Sequence, residues 1–189
     1  TDASTVVFTT GLSDSFINLA TSSAVTSGVT TIVTADDDVA IVVTDAITTA
    51  TTQNITDLNA LIAATDGTVT ATISGNIAEL DGITATAGET GTSTLSLTVA
   101  DVVSVSAGAL VSDATDATVN FGAAGVSDSF TNIVGSTVGS VSAGMGKIDD
   151  KDADVAVVVT DAITTASADN ISDLNALIAA TDGTVTATI

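Results

Sequence analysis

"VAIVVTDAITTATTQNITDLNALIAATDGTVTATI" (Val39–Ile73) contains, in one stretch, the alternation on which the fold turns. Its two ends, "VAIVVTDA" (Val39–Ala46) and "GTVTATI" (Gly67–Ile73), are rich in β-branched residues, and the second alternates Val and Ala with Thr, as a half-buried strand does. Between them, Ile55, Leu58, Leu61 and Ile62 fall at i, i+3, i+6 and i+7, which places them on one face of a two-turn helix. Thr56 or Asn54 is the expected cap at its start, and Gly67 follows its end.

The same stretch returns at Val155–Ile189 without a gap, identical at 30 of 35 positions and offset by 116 residues. Upstream, "GLSDSFINL" from Gly11 pairs with "GVSDSFTNI" from Gly125 at an offset of 114. One repeat is therefore about 115 residues long, and the chain of 189 residues divides into a partial unit (1–38), a full unit (39–154) and the start of the next (155–189). The change of offset requires a two-residue insertion between the matched blocks, expected close to the acidic "KIDDKDAD" (147–154).

Outward from Val39–Ile73, further strand-like stretches are "STLSLTV" (Ser93–Val99) and "ATVNF" (Ala117–Phe121), and helical spacing recurs in "NIAELDGI" and "ADVVSVSAGAL". Strands thus start 24 to 28 residues apart. With four Phe and no Trp, Tyr, Pro, Cys or His, the core has to be filled by Val, Ile, Leu, Ala and Thr methyls, which suit thin stacked layers. The expected fold is all-β with short helices: a parallel β-solenoid built from coils of about 25 residues, continuous through the chain. The alternative is a tandem array of Ig-like β-sandwich domains, against which stand the scarce aromatics and the helical Leu spacing.

Twenty-three carboxylates against two lysines give a formal charge of −21, so nucleic acid and anionic membrane are excluded as partners. The longest uncharged run is about half Ser, Thr and Asn, a poor membrane span. Catalysis has little to work with. No His is present to activate a Ser or Thr, no Cys or His to hold zinc, haem or iron–sulfur, and "GMGK" (Gly144–Lys147) lacks the spacing of a phosphate loop. Paired carboxylates that hydrolyse glycosides normally work beside aromatic platforms, and Trp and Tyr are missing. The chain is expected to be no enzyme and to carry no organic cofactor.

The one candidate site is acidic. Asp150, Asp152 and Asp154 alternate with Asp149 beside them, and Asp36, Asp37 and Asp38 stand at the related place in the first copy. Alternating carboxylates can converge on Ca²⁺, which takes six to eight oxygens, and Asp161 falls where a closing ligand would. Beside this stands the reading of a solvated charge cluster that interrupts strand pairing; Val155 occupies the position where a calcium-binding loop needs Gly. Two sequons, at Asn54 and Asn170, read as helix caps rather than glycosylation sites.

"DLNALIAATDGTVTATI" followed by "GNIAELDGI" resembles the Thr/Ala/Val/Asp-rich tandem repeats of very long surface and secreted proteins of cyanobacteria and other aquatic bacteria, over Val39–Ile83 and Val155–Ile189. The resemblance implies export, a large parent polypeptide and a structural or adhesive role, and brings no catalytic residues. The function expected is that of a non-catalytic structural module of a bacterial extracellular filament, sheath or giant surface protein. Its partner is itself, as a homopolymer or within a longer chain, assembled head-to-tail, with a glycan or cell surface as a further contact. An adhesin, a cation-dependent binding module or a phage-fibre-like protein is the alternative. Within the head-to-tail scheme, Val6, Val7, Phe8 and Phe16 are expected to cover the strand that ends at Ile189.

Overall fold

A computed structural model describes residues 6–84, 93–123 and 125–189. Within it the chain forms two compact units, Thr1–Leu97 with Ala114–Ala117, and Thr98–Asp113 with Thr118–Ile189. Thr1–Thr5, which open the stretch expected to cover a neighbouring strand, lie outside the described residues.

The first unit runs β1 (Leu12–Asp14), α1 (Phe16–Leu19), β2 (Ala20–Thr21), β3 (Ala24–Val25), α2 (Ser27–Ala35), β4 (Ile41–Val43), α3 (Thr52–Ala64), β5 (Val69–Gly75), α4 (Ile77–Leu80) and most of β6 (Thr94–Val99). Its strands lie in the order β1-β4-β5-β6. β1 pairs parallel to β4, with Leu12 opposite Ile41, and β4 parallel to β5, with Ile41 opposite Val69. Inward-facing Ile41, Val43, Val69, Ala71, Ile73, Leu95 and Leu97 are buried, and Leu58 and Leu61 of α3 are fully covered. The outward sheet face carries Ser, Thr and Val: Ser13, Val42 and Thr70 stand side by side in register.

The second unit holds α5 (Val105–Asp113), β7 (Val119–Asn120), β8 (Val126–Asp128), α6 (Phe130–Ile133), α7 (Ala143–Lys151), β9 (Val157–Val159), α8 (Ala168–Ala180) and β10 (Val185–Thr186). β6 ends in this unit and is followed in strand order by β7. A separate sheet, β10-β9-β8, is parallel throughout, with Val157 opposite Val126 and Val185. Its outward face repeats the Ser–Val–Thr row as Ser127, Val158 and Thr186.

The expected all-β fold is overturned. The chain is mixed α/β, with eight helices covering about 37% of the described residues, a five-stranded sheet flanked by helices and no closed solenoid. Tandem sandwiches are not formed either, since β1-β4-β5 and β8-β9-β10 pair in parallel, whereas antiparallel pairing is seen at the short β2-β3 hairpin and the Val134–Val141 bridge. β4 to β7 fall on the stretches read as strands, whereas β1, β2, β3 and β8 were not expected. What was underestimated is helix: a parallel crossover spans a dozen residues or more and is normally closed by a helix. The Thr- and Val-rich α2, "SGVTTIVTA", reads locally as strand yet serves that crossover.

Local chemistry explains the start of α3. Its N-cap is Thr51, three residues before Asn54, and the two form a reciprocal capping box: Thr51 accepts from the Asn54 N–H while Asn54 Oδ1 accepts from the Thr51 N–H at 3.0 Å. Asn54 is therefore the third helical residue and Thr56 the fifth, so neither is the cap. In α8, Ser167 is the N-cap and accepts from Asn170 N at 3.1 Å, while the Asn170 side chain donates to Thr165 O.

The two-residue insertion also lies elsewhere than expected. Ala20 pairs with Val25 in the first hairpin, whereas Val134 bridges Val141 in the second copy, so four intervening residues become six. The bonds that close the two hairpins, Thr26 N–H to Leu19 O and Ser142 N–H to Ile133 O, change offset across the turn from 114 to 116. α2 and α7, with the acidic segments after them, are in register at 116.

Candidate functional site

Most carboxylates that the two copies share are latches on backbone N–H groups. Asp36, at the C-cap of α2, accepts from Phe8 N at 2.5 Å, and Asp152, at the C-cap of α7, accepts from Phe121 N at 2.7 Å. Asp45 takes the Phe16 N–H and Asp161 the Phe130 N–H, each at 2.6 Å. Buried Asp57 accepts from Ser23 N, and its counterpart Asp173 from Gly139 N, again at 2.6 Å. Asp14 and Asp128 each accept from the next residue's N–H and from an Asn one turn on, Asn18 and Asn132. Charge-assisted bonds of this kind satisfy loop donors that no helix or ladder reaches.

A third device is a buried threonine. Thr65 donates to Val39 O at 2.7 Å, close also to Asp37 O, and its hydroxyl accepts from Gly67 N at 2.9 Å. Thr181 does the same with Val155 O, Ala153 O and Gly183 N. Thr115, in the middle of the chain, contacts Leu95 O and Ser93 O and accepts from Ala117 N. Each hydroxyl ties the end of a helix to the start of the strand before it. Gly67 has to be glycine because a Cβ there would run into the carbonyl oxygens of Asp38 and Val39.

The expected metal ligands are only partly assembled. Asp149 and Asp150 lie on the last turns of α7, while Asp152 and Asp154 line an open cleft with Asp182, Asn120, Gly122 and Thr184. That cleft, about 470 Å³, has room for many waters at about 30 Å³ each, so its carboxylates are open to solvent, with Asp154 beside Asp152. Asp161, the expected closing ligand, is occupied by Phe130 N–H. In the first copy, Asp36 is engaged by Phe8 N–H. Among the described residues no three carboxylates come together as a metal-holding group.

Burial pushes the Asp152 carboxyl up, with neighbouring Asp154 adding to the effect and the Phe121 N–H opposing it. Burial likewise raises Asp149, reinforced by Asp150 and Asp182, and its Oδ1 is covered without a hydrogen-bond partner. Asp38 is raised by close approach to the Asp36 carboxylate, by that group's charge, and by Asp37. Asp14 and Asp128 move the other way. Asn18 and the Ser15 N–H hold Asp14 below its usual value. At Asp128 burial is the largest single influence and pushes upward, yet Asn132 and the N–H groups of Ser129 and Val105 together leave it lowered.

Sequence reasoning singled out Asp36, Asp152 and Asp161 as metal ligands rather than latches, and missed the latches Asp14, Asp45, Asp57, Asp128 and Asp173. A signal for them existed: Asp14, Asp36, Asp45 and Asp57 recur as Asp128, Asp152, Asp161 and Asp173, whereas Asp149 and Asp150 replace Val33 and Thr34 of the first copy. Searches against known proteins find no family model, curated protein or solved structure that matches the chain.

Proposed function

We propose that the chain is a non-catalytic structural module of an extracellular filament, sheath or giant surface protein, in which repeat units assemble head-to-tail. The observation that supports this best is duplication at the level of single hydrogen bonds. Four carboxylate latches and the threonine tie recur in both copies, between residues displaced by 113 to 116 positions. These groups hold loops and crossovers. Repeating such devices yields more of the same architecture, as in proteins whose stability is a sum over stacked units.

The extracellular setting rests on the acidic, Thr- and Val-rich composition and on the resemblance to bacterial surface repeats. The high charge keeps so apolar a chain soluble. The proposal is tested by sedimentation and electron microscopy of the full chain over a wide concentration range in 0.15 M salt. End-to-end oligomers that lengthen with concentration are expected. A monodisperse monomer at every concentration would overturn head-to-tail assembly.

A further inference from the structure

The two units differ in one large respect: the second includes Thr98–Asp113, a stretch with no counterpart in the first. It covers a particular surface. Val103 bridges parallel to Val126 at the edge of β8, with Val103 N–H to Gly125 O at 3.1 Å and Ser127 N–H to Val103 O at 2.8 Å. The Val105 N–H then bonds Asp128 Oδ2 at 3.0 Å, and α5 runs along α7. The helices meet through glycines. A Cβ on Gly144 would stand 2.8 Å from Val105 Cγ1, and one on Gly108 would stand 2.7 Å from Ile148 Cδ1. Lys147 closes the far end on Asp113 at 2.5 Å.

Among the described residues, the first unit presents the same surface uncovered. β1 corresponds to β8 and is the edge strand of its sheet. Gly28 of α2 corresponds to Gly144, is exposed, and a Cβ there would find nothing nearer than Thr26 Oγ1, at 4.0 Å on its own helix cap. Ile32 is half-exposed where Ile148 is fully buried. Val6 is 51% exposed, while Val119, which holds its place, is 1% exposed. Asp14 makes the bonds to Ser15 and Asn18 that Asp128 makes to Ser129 and Asn132. The bond that Asp128 Oδ2 takes from the Val105 N–H has no counterpart at Asp14 among the described residues.

We infer that the β1 edge and the Gly28 face of α2 form a docking site for a strand-and-helix segment of the Thr98–Asp113 kind, carried by another repeat unit. The second unit supplies the template. An extended Val adds to the strand edge, an N–H caps onto Asp14 Oδ2, and a helix with Val at its first position and Gly at its fourth lies against Gly28 and Ile32. Edge addition contributes backbone bonds, and the glycine contact contributes shape selectivity. The acceptor has no lysine where Lys147 stands, because Thr31 takes that position. The site therefore selects by shape and backbone pairing rather than by charge. This inference deepens the head-to-tail reading by naming one of its joints.

The test extends the full chain by a copy of Ser93–Ala114 placed ahead of Thr1, which reproduces the natural "SDA-TDA" junction of Ser112–Ala117. Hydrogen exchange and melting are measured at a concentration where sedimentation shows monomer. The Ser13 amide, which corresponds to the bonded Ser127 amide, is expected to exchange at least about tenfold more slowly, and Tm to rise. Gly28→Leu in the extended chain should abolish both gains. The same substitution in the unextended chain should not lower Tm, because the position faces open space and Leu is a better helix former than Gly. No added protection at Ser13, or gains that survive Gly28→Leu, would overturn the proposed site. Filament formation is read separately by sedimentation, so a chain that docks the segment without polymerising would count against the filament reading alone.

Discussion

Thr65 does with one hydroxyl what a loop would otherwise need water to do: it satisfies a strand carbonyl and the N–H two residues ahead. Thr65→Val keeps the shape but orphans both groups, at about 1–3 kcal/mol for each buried one left unpaired. A urea-denaturation midpoint well below that of the parent is expected, and Thr65→Ser should recover most of the loss. The aspartates make a pH prediction. Asp38 has a folded pKa raised by Asp36 and Asp37, so the folded form binds protons more readily than the unfolded chain. Its contribution is favourable below the unfolded value and fades as pH rises through the folded one. Asp14 and Asp128 are lowered, so theirs is present at neutral pH and is lost as pH falls through their depressed values. Protonation of Asp38, and likewise of the raised Asp149 and Asp152, should therefore add stability on acidification from pH 7. Loss of the Asp14 and Asp128 contributions should oppose that gain further into acid. Asp38→Asn should raise Tm at pH 7, shrink the gain on acidification, and match the parent near about pH 3, where the carboxyl is protonated in both states. A variant with unchanged Tm at pH 7 would contradict the repulsion.

At the scale of elements, α3 depends on its capping box. Thr51→Ala removes the acceptor for Asn54 N–H and should cost about 1 kcal/mol, measured by denaturant unfolding. Ser167→Ala should do the same to α8, where Asn170 N–H loses its acceptor. The Leu spacing of α3 was legible in the sequence, as were the alternating β5 and β6, because their buried faces match a period that can be counted. α2 was not legible. Its Thr and Val favour strand locally, and its helix follows from the need to cross between parallel β1 and β4. α7, with two glycines and three acids or amines in its second half, carries too weak an apolar stripe for the count to find, although Met145 and Ile148 are fully buried. The acidic site was legible as a run of residues, but not as a set of roles. Whether an Asp is a latch depends on which N–H the tertiary fold brings to it, and Phe121 lies 31 residues from Asp152.

At the scale of the whole molecule, the dominant physical fact is charge. Twenty-three carboxylates and two lysines leave −21 to be accommodated, and the ion pair of Lys147 with Asp113 is half-exposed and contributes little. The remaining repulsion is long-ranged and spread over the chain, so it should respond to ionic strength through screening, whose length falls from about 30 Å at 0.01 M to about 10 Å at 0.1 M. Tm should rise steadily with NaCl over that range and level off as screening reaches the spacing of neighbouring aspartates. Calcium is the sharper probe. Asp36 and Asp152 are already engaged by backbone donors, and no three carboxylates converge among the described residues. Millimolar Ca²⁺ should therefore raise Tm no more than Na⁺ at matched ionic strength, and EDTA should leave it unchanged. A specific site bound only by the folded chain would instead add about 2.7 kcal/mol at a hundredfold excess over its Kd, an upward shift that screening cannot imitate. Such a shift, lost in Asp154→Asn and Asp182→Asn, would place an ion in the cleft that these residues share with Asp152.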